Sequence, residues 1–119
     1  MRPEHRFSKE LTRALESLGC LVLPIETGPT NRGVPDLYIA KSGDSLWCEL
    51  KVVAPKQTKE PRSPIQIKRQ AEMVRHGVAV VNARDIRDGN DKNHGYHLDS
   101  AVLNNITELA LFITNFLEA

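Results

Sequence analysis

The segment from Asp36 to Val53 constrains this chain most, because it holds two β-rich runs that must close on one another. Asp36-Leu-Tyr-Ile-Ala40 and Ser45 to Val53 are rich in branched and aromatic residues. They flank Lys41-Ser-Gly-Asp44, a short glycine-containing connection of the hairpin type. Folding about that turn sets Asp36 opposite Glu49. Side chains two apart on a strand share a face, so Trp47, Glu49, Lys51 and Val53 point one way and Cys48, Leu50 and Val52 the other. A carboxylate and an ammonium therefore share one face of a strand whose other face is apolar.

An isolated hairpin is unstable in water, and the rest of the chain supplies what covers it. From Pro3, the residues Glu4, Phe7, Leu11, Ala14, Leu15 and Leu18 recur at three- and four-residue intervals, and Gly19 follows as a stop. Cys20 to Ile25 is β-rich, and Pro24, which lacks a donor, pushes it towards a sheet edge or a short strand. Residues 27–33 are turn chemistry throughout, and 54–64, with Pro55, Pro61 and Pro64, read as an exposed loop. Ser63 and Pro64 start a second helix that Gly77 ends, and Val78 to Val81 is a buried strand reached by that helical crossover. Residues 84–97 read as a polar loop. Val102, Ile106, Leu109, Ile113 and Phe116 mark a terminal helix. The expected fold is α/β, ordered α-β-β-β-α-β with a small mixed sheet flanked by helices and a C-terminal helix. At 119 residues it is expected to form one domain, 1–119.

Composition is that of an ordinary globular protein, with 40% hydrophobic and 26% charged residues. Two cysteines are too few for a secreted disulfide framework, and no N-terminal apolar run resembles a signal peptide or a spanning helix. The expectation is a reducing, cytoplasmic setting with no membrane partner. A Cys20–Cys48 bridge stays open, with two small buried hydrophobes as the favoured reading. A net charge of +1 argues at first sight against a polyanionic partner. The charge is unevenly spread, however. Residues 51–76 carry +5, against −1 for 1–50 and −3 for 77–119. The basic stretch directly follows Glu49-Leu-Lys51, where a phosphate backbone would lie.

Two carboxylates meeting on a partly buried face repel each other unless a cation stands between them. Carboxylates with a backbone carbonyl suit Mg²⁺ or Mn²⁺, and no thiolate or imidazole set suited to zinc is present. His94-x-x-His97 falls in a Gly/Asn-rich stretch and reads as solvated loop. A divalent ion polarises a phosphate oxygen and lowers the pKa of its water, and Lys51 can orient that water or offset developing charge. These are the parts of metal-assisted phosphodiester hydrolysis. Glu-x-Lys alone arises by chance roughly once in two chains of this composition, so the weight lies in its pairing with Pro35-Asp36 on one hairpin.

Three linked motifs carry a family resemblance: Gly33-Val-Pro-Asp36, Glu49-Leu-Lys51 and Ser63-Pro-Ile-Gln66. In this order, over residues 4–81, the chain resembles the VRR-NUC family of the PD-(D/E)XK nuclease superfamily, in its free-standing phage and bacterial form. The resemblance implies a restriction-endonuclease-like core. It implies metal ligation by Glu4, Asp36, Glu49 and the backbone carbonyl of Leu50, with Lys51 catalytic and Gln66 beside the site. Glu10 is the competing acid on the first helix. The implied activity is an Mg²⁺- or Mn²⁺-dependent endodeoxyribonuclease selective for branched DNA of the Holliday-junction type. A homodimer in a bacterial cytoplasm or a phage-infected host cell is implied with it. A flap or linear-duplex nuclease of the same superfamily, or a catalytically silent branched-DNA-binding module, stay open. Arg32, Lys56, Lys59, Arg62, Lys68 and Arg69 are the candidate DNA contacts; Arg6 and Arg13 are further phosphate-contact candidates, and like Arg32 they have no special spacing. Tyr38 and Trp47 read as core.

Overall fold

A computed structural model describes residues 3–26, 32–55, 57, 59–87 and 94–118. The chain runs through α1 (Pro3–Ser17), β1 (Leu21–Pro24), β2 (Leu37–Lys41), β3 (Asp44–Val53), α2 (Pro64–Arg75), β4 (Val80–Arg87), β5 (His94–Leu98), β6 (Ala101–Leu103) and α3 (Ile106–Glu118). The strands form one sheet in the order β1-β2-β3-β4-β5-β6, antiparallel except for β3 and β4. That parallel pair is joined by α2, the helical crossover such a connection needs.

The β2–β3 hairpin has the expected register, with Lys41 opposite Asp44, Tyr38 opposite Trp47 and Leu37 opposite Cys48. Its two-residue turn holds Ser42 at φ 56° and Gly43 at φ 86°. Both central residues are left-handed, which suits the twist of a tight hairpin. One step beyond Leu37 and Cys48, the same register brings Asp36 beside Glu49.

The sheet's two faces differ. On one, Phe7, Leu11 and Leu15 of α1 and Leu109, Ala110, Ile113 and Leu117 of α3 pack on Ile39, Leu46, Cys48 and Leu50. Phe7 also meets Tyr96 of β5, ring centroids 5.7 Å apart. Lys41 ties the far end of this layer, its Nζ donating to the Leu18 carbonyl at 2.6 Å and lying 2.7 Å from Glu118 Oε1. The other face carries α2. Ser63 caps it, accepting from Gln66 N at 3.3 Å while Gln66 Oε1 accepts from Ser63 N at 2.9 Å.

Three expectations need correction. Residues 84–97 are not one loop, because β4 runs on to Arg87 and β5 begins at His94; residues 88–93 lie outside the described ones. The polar composition hid a strand whose Val81, Ala83, Asp85 and Arg87 are buried, the last two as an ion pair of 2.9 Å. Val102 does not open the last helix. It sits in β6 and is 73% exposed, and α3 starts only after Asn105, whose side chain accepts from Glu108 N at 2.8 Å. Phe116 is exposed, because the buried stripe of α3 runs through Leu109, Ile113 and Leu117 instead. Pro24 ends the edge strand β1 as expected. Both cysteines are free and buried, Cys20 Sγ lying 3.5 Å from Thr114 Oγ1.

Candidate active site

The site forms where β2 begins, β3 is at its middle and α2 starts. Gly33, at φ 83°, lies so close to α2 that a Cβ there would stand 2.7 Å from the Ile65 carbonyl oxygen. Only glycine allows both that conformation and that approach. The chain then turns through buried Pro35 to Asp36, whose Oδ2 accepts from the backbone N of Leu50 at 2.8 Å.

Glu49 is 1% exposed. Its Oε1 accepts from Gln66 Nε2 at 3.0 Å and lies 3.9 Å from Lys51 Nζ, whereas its Oε2 is buried with no partner among the described residues. Burial, and then the negative charge of adjacent Asp36, push the Glu49 carboxyl up to about 8, with Lys51 opposing. An orphaned carboxylate oxygen beside a second carboxylate, next to the Leu50 backbone, is a donor set that a hard divalent cation fits. Among the described residues no three His, Cys, Asp or Glu side chains converge into a metal cluster. The fit therefore rests on the pair. Glu4 is exposed; it lines a cleft of about 1120 Å³ together with Asp36, Leu50 and Val52, and its charge reaches Glu49. Glu10 is also exposed, and it does not line the cleft.

Thus Asp36, Glu49, Leu50, Lys51 and Gln66 come together, and Glu4 shares a cleft with Asp36 and Leu50 of this group. The candidate DNA contacts are less uniform. Arg32, Lys59 and Lys68 are exposed, while Lys56 lies outside the described residues. Arg62 is engaged internally, with Nε 3.0 Å from Glu60 Oε1 and Nη1 donating to Gln70 Oε1 at 2.9 Å. Arg69 pairs with Glu72 at 3.3 Å. Tyr38 and Trp47 are half-buried and pack on each other, ring centroids 5.2 Å apart, on the face that carries Glu49.

Sequence reasoning missed the network beneath α2. Gln70, 4% exposed, donates from Nε2 to Asn82 Oδ1 at 3.0 Å, and Asp99 Oδ1 accepts from Asn82 N at 3.3 Å. Asn82 is the register partner of Glu49 across the parallel pair. Gln66 and Gln70, one helical turn apart, thus dock on two neighbouring strands. The available signal was that same four-residue spacing.

Helices α1 and α3 on one face, a β3–α2–β4 crossover on the other and paired carboxylates on the central hairpin define a restriction-endonuclease-like α/β fold. Among solved structures, a VRR_NUC domain is similar at 24% identity and a TM-score of 0.53, covering 75% of this chain and 86% of its own. Hjc from Archaeoglobus fulgidus, a Holliday junction resolvase from an archaeal hyperthermophile, is similar at 14% identity and a TM-score of 0.56, covering 89% of this chain and 98% of its own. At these identities the likeness establishes the fold. No family model matches the chain, and no curated protein matches it in sequence.

Proposed function

We propose that this chain is a single-domain, Mg²⁺- or Mn²⁺-dependent endodeoxyribonuclease that cuts branched DNA, with the four-way junction as its first substrate. The observation that carries the reading is buried Glu49, whose free oxygen lies beside Asp36 and whose other oxygen is held by Gln66 near Lys51. A buried carboxylate beside a second, half-buried one costs stability unless the pair binds something, and such sites are where function accumulates. The resemblance of the three motifs and the fold shared with Hjc support DNA as the substrate.

Asp36, Glu49 and the Leu50 carbonyl would hold the ion, with Glu4 the carboxylate available from α1. When bound, it lowers the pKa of a water and offsets charge on a phosphate oxygen. The remaining steps belong to the chain. Gln66, fixed at its own carbonyl by Ser63 N, holds Glu49 in one rotamer through Oε1 and leaves Oε2 for ligation. Lys51 orients the attacking water or donates to the phosphate as negative charge develops. The half-buried Leu50 N–H bond keeps Asp36 aimed at the same point. Exposed Phe112 and Phe116 on α3 supply apolar surface in keeping with a homodimer, and two free cysteines are in keeping with the cytoplasm. Among the described residues no helix is long and apolar enough to cross a membrane.

The test is incubation with Mg²⁺ and labelled four-way junction, flap, single-stranded and linear duplex DNA, with Asp36→Ala as control. Cleavage of the junction by the unaltered protein and none by a folded Asp36→Ala is expected. Junction binding without any product assigns a silent binding module instead.

A further inference from the structure

Register sorts the charges on the α2 face into rows. Lys51 of β3 pairs with Arg84 of β4, and Arg84 pairs with His97 of β5. Side chains directly abreast in paired strands point to the same side, so these three share the face that carries Glu49. Adjacent strands lie about 4.8 Å apart, so the row runs roughly 10 Å from the catalytic lysine towards β5. The next row is of opposite character: Glu49 pairs with Asn82, which is bonded to Asp99. Nitrogen-bearing side chains thus line one row and oxygen acceptors the next.

An anion already sits at this row. Arg84 Nη2 lies 4.0 Å from Glu60 Oε1, the carboxylate that Arg62 grips through Nε at 3.0 Å and Nη2 at 3.2 Å. Glu60 comes from the loop between β3 and α2, and both it and Arg84 are more than a third exposed. The long Arg84 contact leaves most of the guanidinium fork to an incoming group, and a phosphodiester presents the same pair of oxygens with the same charge.

We infer that Lys51, Arg84 and His97 form a phosphate-binding row that seats the DNA backbone next to the scissile bond, Glu60 marking the position of the phosphate contacted by Arg84. This rests on the nuclease reading and adds two residues, Arg84 and His97, that lie outside the three linked motifs. In the bound state Arg84 donates two N–H bonds to the phosphate, His97 adds a ring N–H, and the Glu60–Arg62 pair moves aside as a unit.

Steady-state cleavage of a labelled four-way junction in Mg²⁺ at several salt concentrations tests it, using the unaltered protein, Arg84→Ala, Arg84→Lys, His97→Gln and Arg75→Ala. Arg75, exposed in the last turn of α2, serves as a basic residue off the row. Arg84→Ala is expected to raise KM about tenfold with kcat within about twofold, and to lower the salt slope of log KM by about one. Arg84→Lys should recover only part of the loss, since an ammonium keeps the charge but not the paired N–H contact, His97→Gln should have a smaller effect than Arg84→Ala, and Arg75→Ala should match the unaltered protein. Thermal melts of each variant confirm that it is folded. If the unaltered protein cuts while folded Arg84→Ala keeps its KM and salt slope, the row is wrong and the nuclease reading stands. If Arg84→Ala loses kcat alone, Arg84 acts on the chemistry and the phosphate seat is likewise wrong. If the unaltered protein neither cuts nor binds the junction, the nuclease reading and this inference fall together.

Discussion

The two faces of the sheet are held by opposite chemistry. On one, α1 and α3 bury a run of leucines, isoleucines and one phenylalanine. On the other, α2 buries no apolar side chain; its buried residue is Gln70, while Ile65, Ile67 and Val74 are exposed. That helix is docked by Gln66 on Glu49, Gln70 on Asn82 and the close approach of Gly33 to Ile65. Burial of apolar area supplies most folding free energy, whereas a hydrogen bond adds about 1 kcal/mol net. Stability therefore resides on the α1/α3 face, and the α2 face holds polar groups, Gln66 on Glu49 and Gln70 on Asn82, at some cost to it.

Substitutions can break this division of labour. The largest effect should come from Asp36→Ala or Lys51→Ala, each lowering cleavage by about a hundredfold or more while circular dichroism and melting stay near those of the unaltered protein. Loss of folding with loss of activity would show that the polar face also holds the fold. On the dry face the pattern should invert: Leu11→Ala, fully buried in α1, should cost about 2–5 kcal/mol in denaturant melts and leave kcat per folded molecule unchanged.

The pH dependence sharpens the comparison further. Glu49 is raised in the folded state from 4.5 to about 8, so the fold binds its proton more tightly than the unfolded chain does. Its contribution is then full below about pH 4.5 and is lost as pH rises through about 8. In EDTA, melting temperature should fall across that interval, and Glu49→Gln, which carries no titrating proton, should flatten this fall while abolishing cleavage. Mg²⁺ should raise the melting temperature more at pH 8 than at pH 5 in the unaltered protein, with no such difference in Glu49→Gln. The smallest effect is expected from Ser63→Ala, which removes one half of the capping box and should cost about 1 kcal/mol, with a modest drop in kcat as Gln66 loosens.

The same division explains what was legible in the sequence. Apolar periodicity read α1 and the crossover correctly, and the hairpin register followed from turn chemistry at Ser42 and Gly43. Where polar residues are buried, pattern reading failed. Asp85 and Arg87 made β4 look like loop, although they satisfy one another inside the sheet. Lys51, Gln66 and the carboxylates stood out because motifs carry them. Gln70, Asn82 and Arg84 did not, since their roles arise from the alignment of β3 with β4, which no local pattern fixes. The sequence placed Arg62 and Arg69 among the candidate DNA contacts, and in the structure nearby Glu60 and Glu72 engage both.

If the carboxylate pair on the hairpin holds a divalent ion for phosphodiester cleavage, ion binding and cleavage must both depend on Glu49. Mn²⁺ binding by the unaltered protein and by Glu49→Gln, measured by titration calorimetry alongside junction cleavage in the same buffer, tests that dependence most directly. The unaltered protein is expected to bind Mn²⁺ and cut, and folded Glu49→Gln to do neither. Equal Mn²⁺ binding by both proteins, or cleavage that survives in Glu49→Gln, would contradict it.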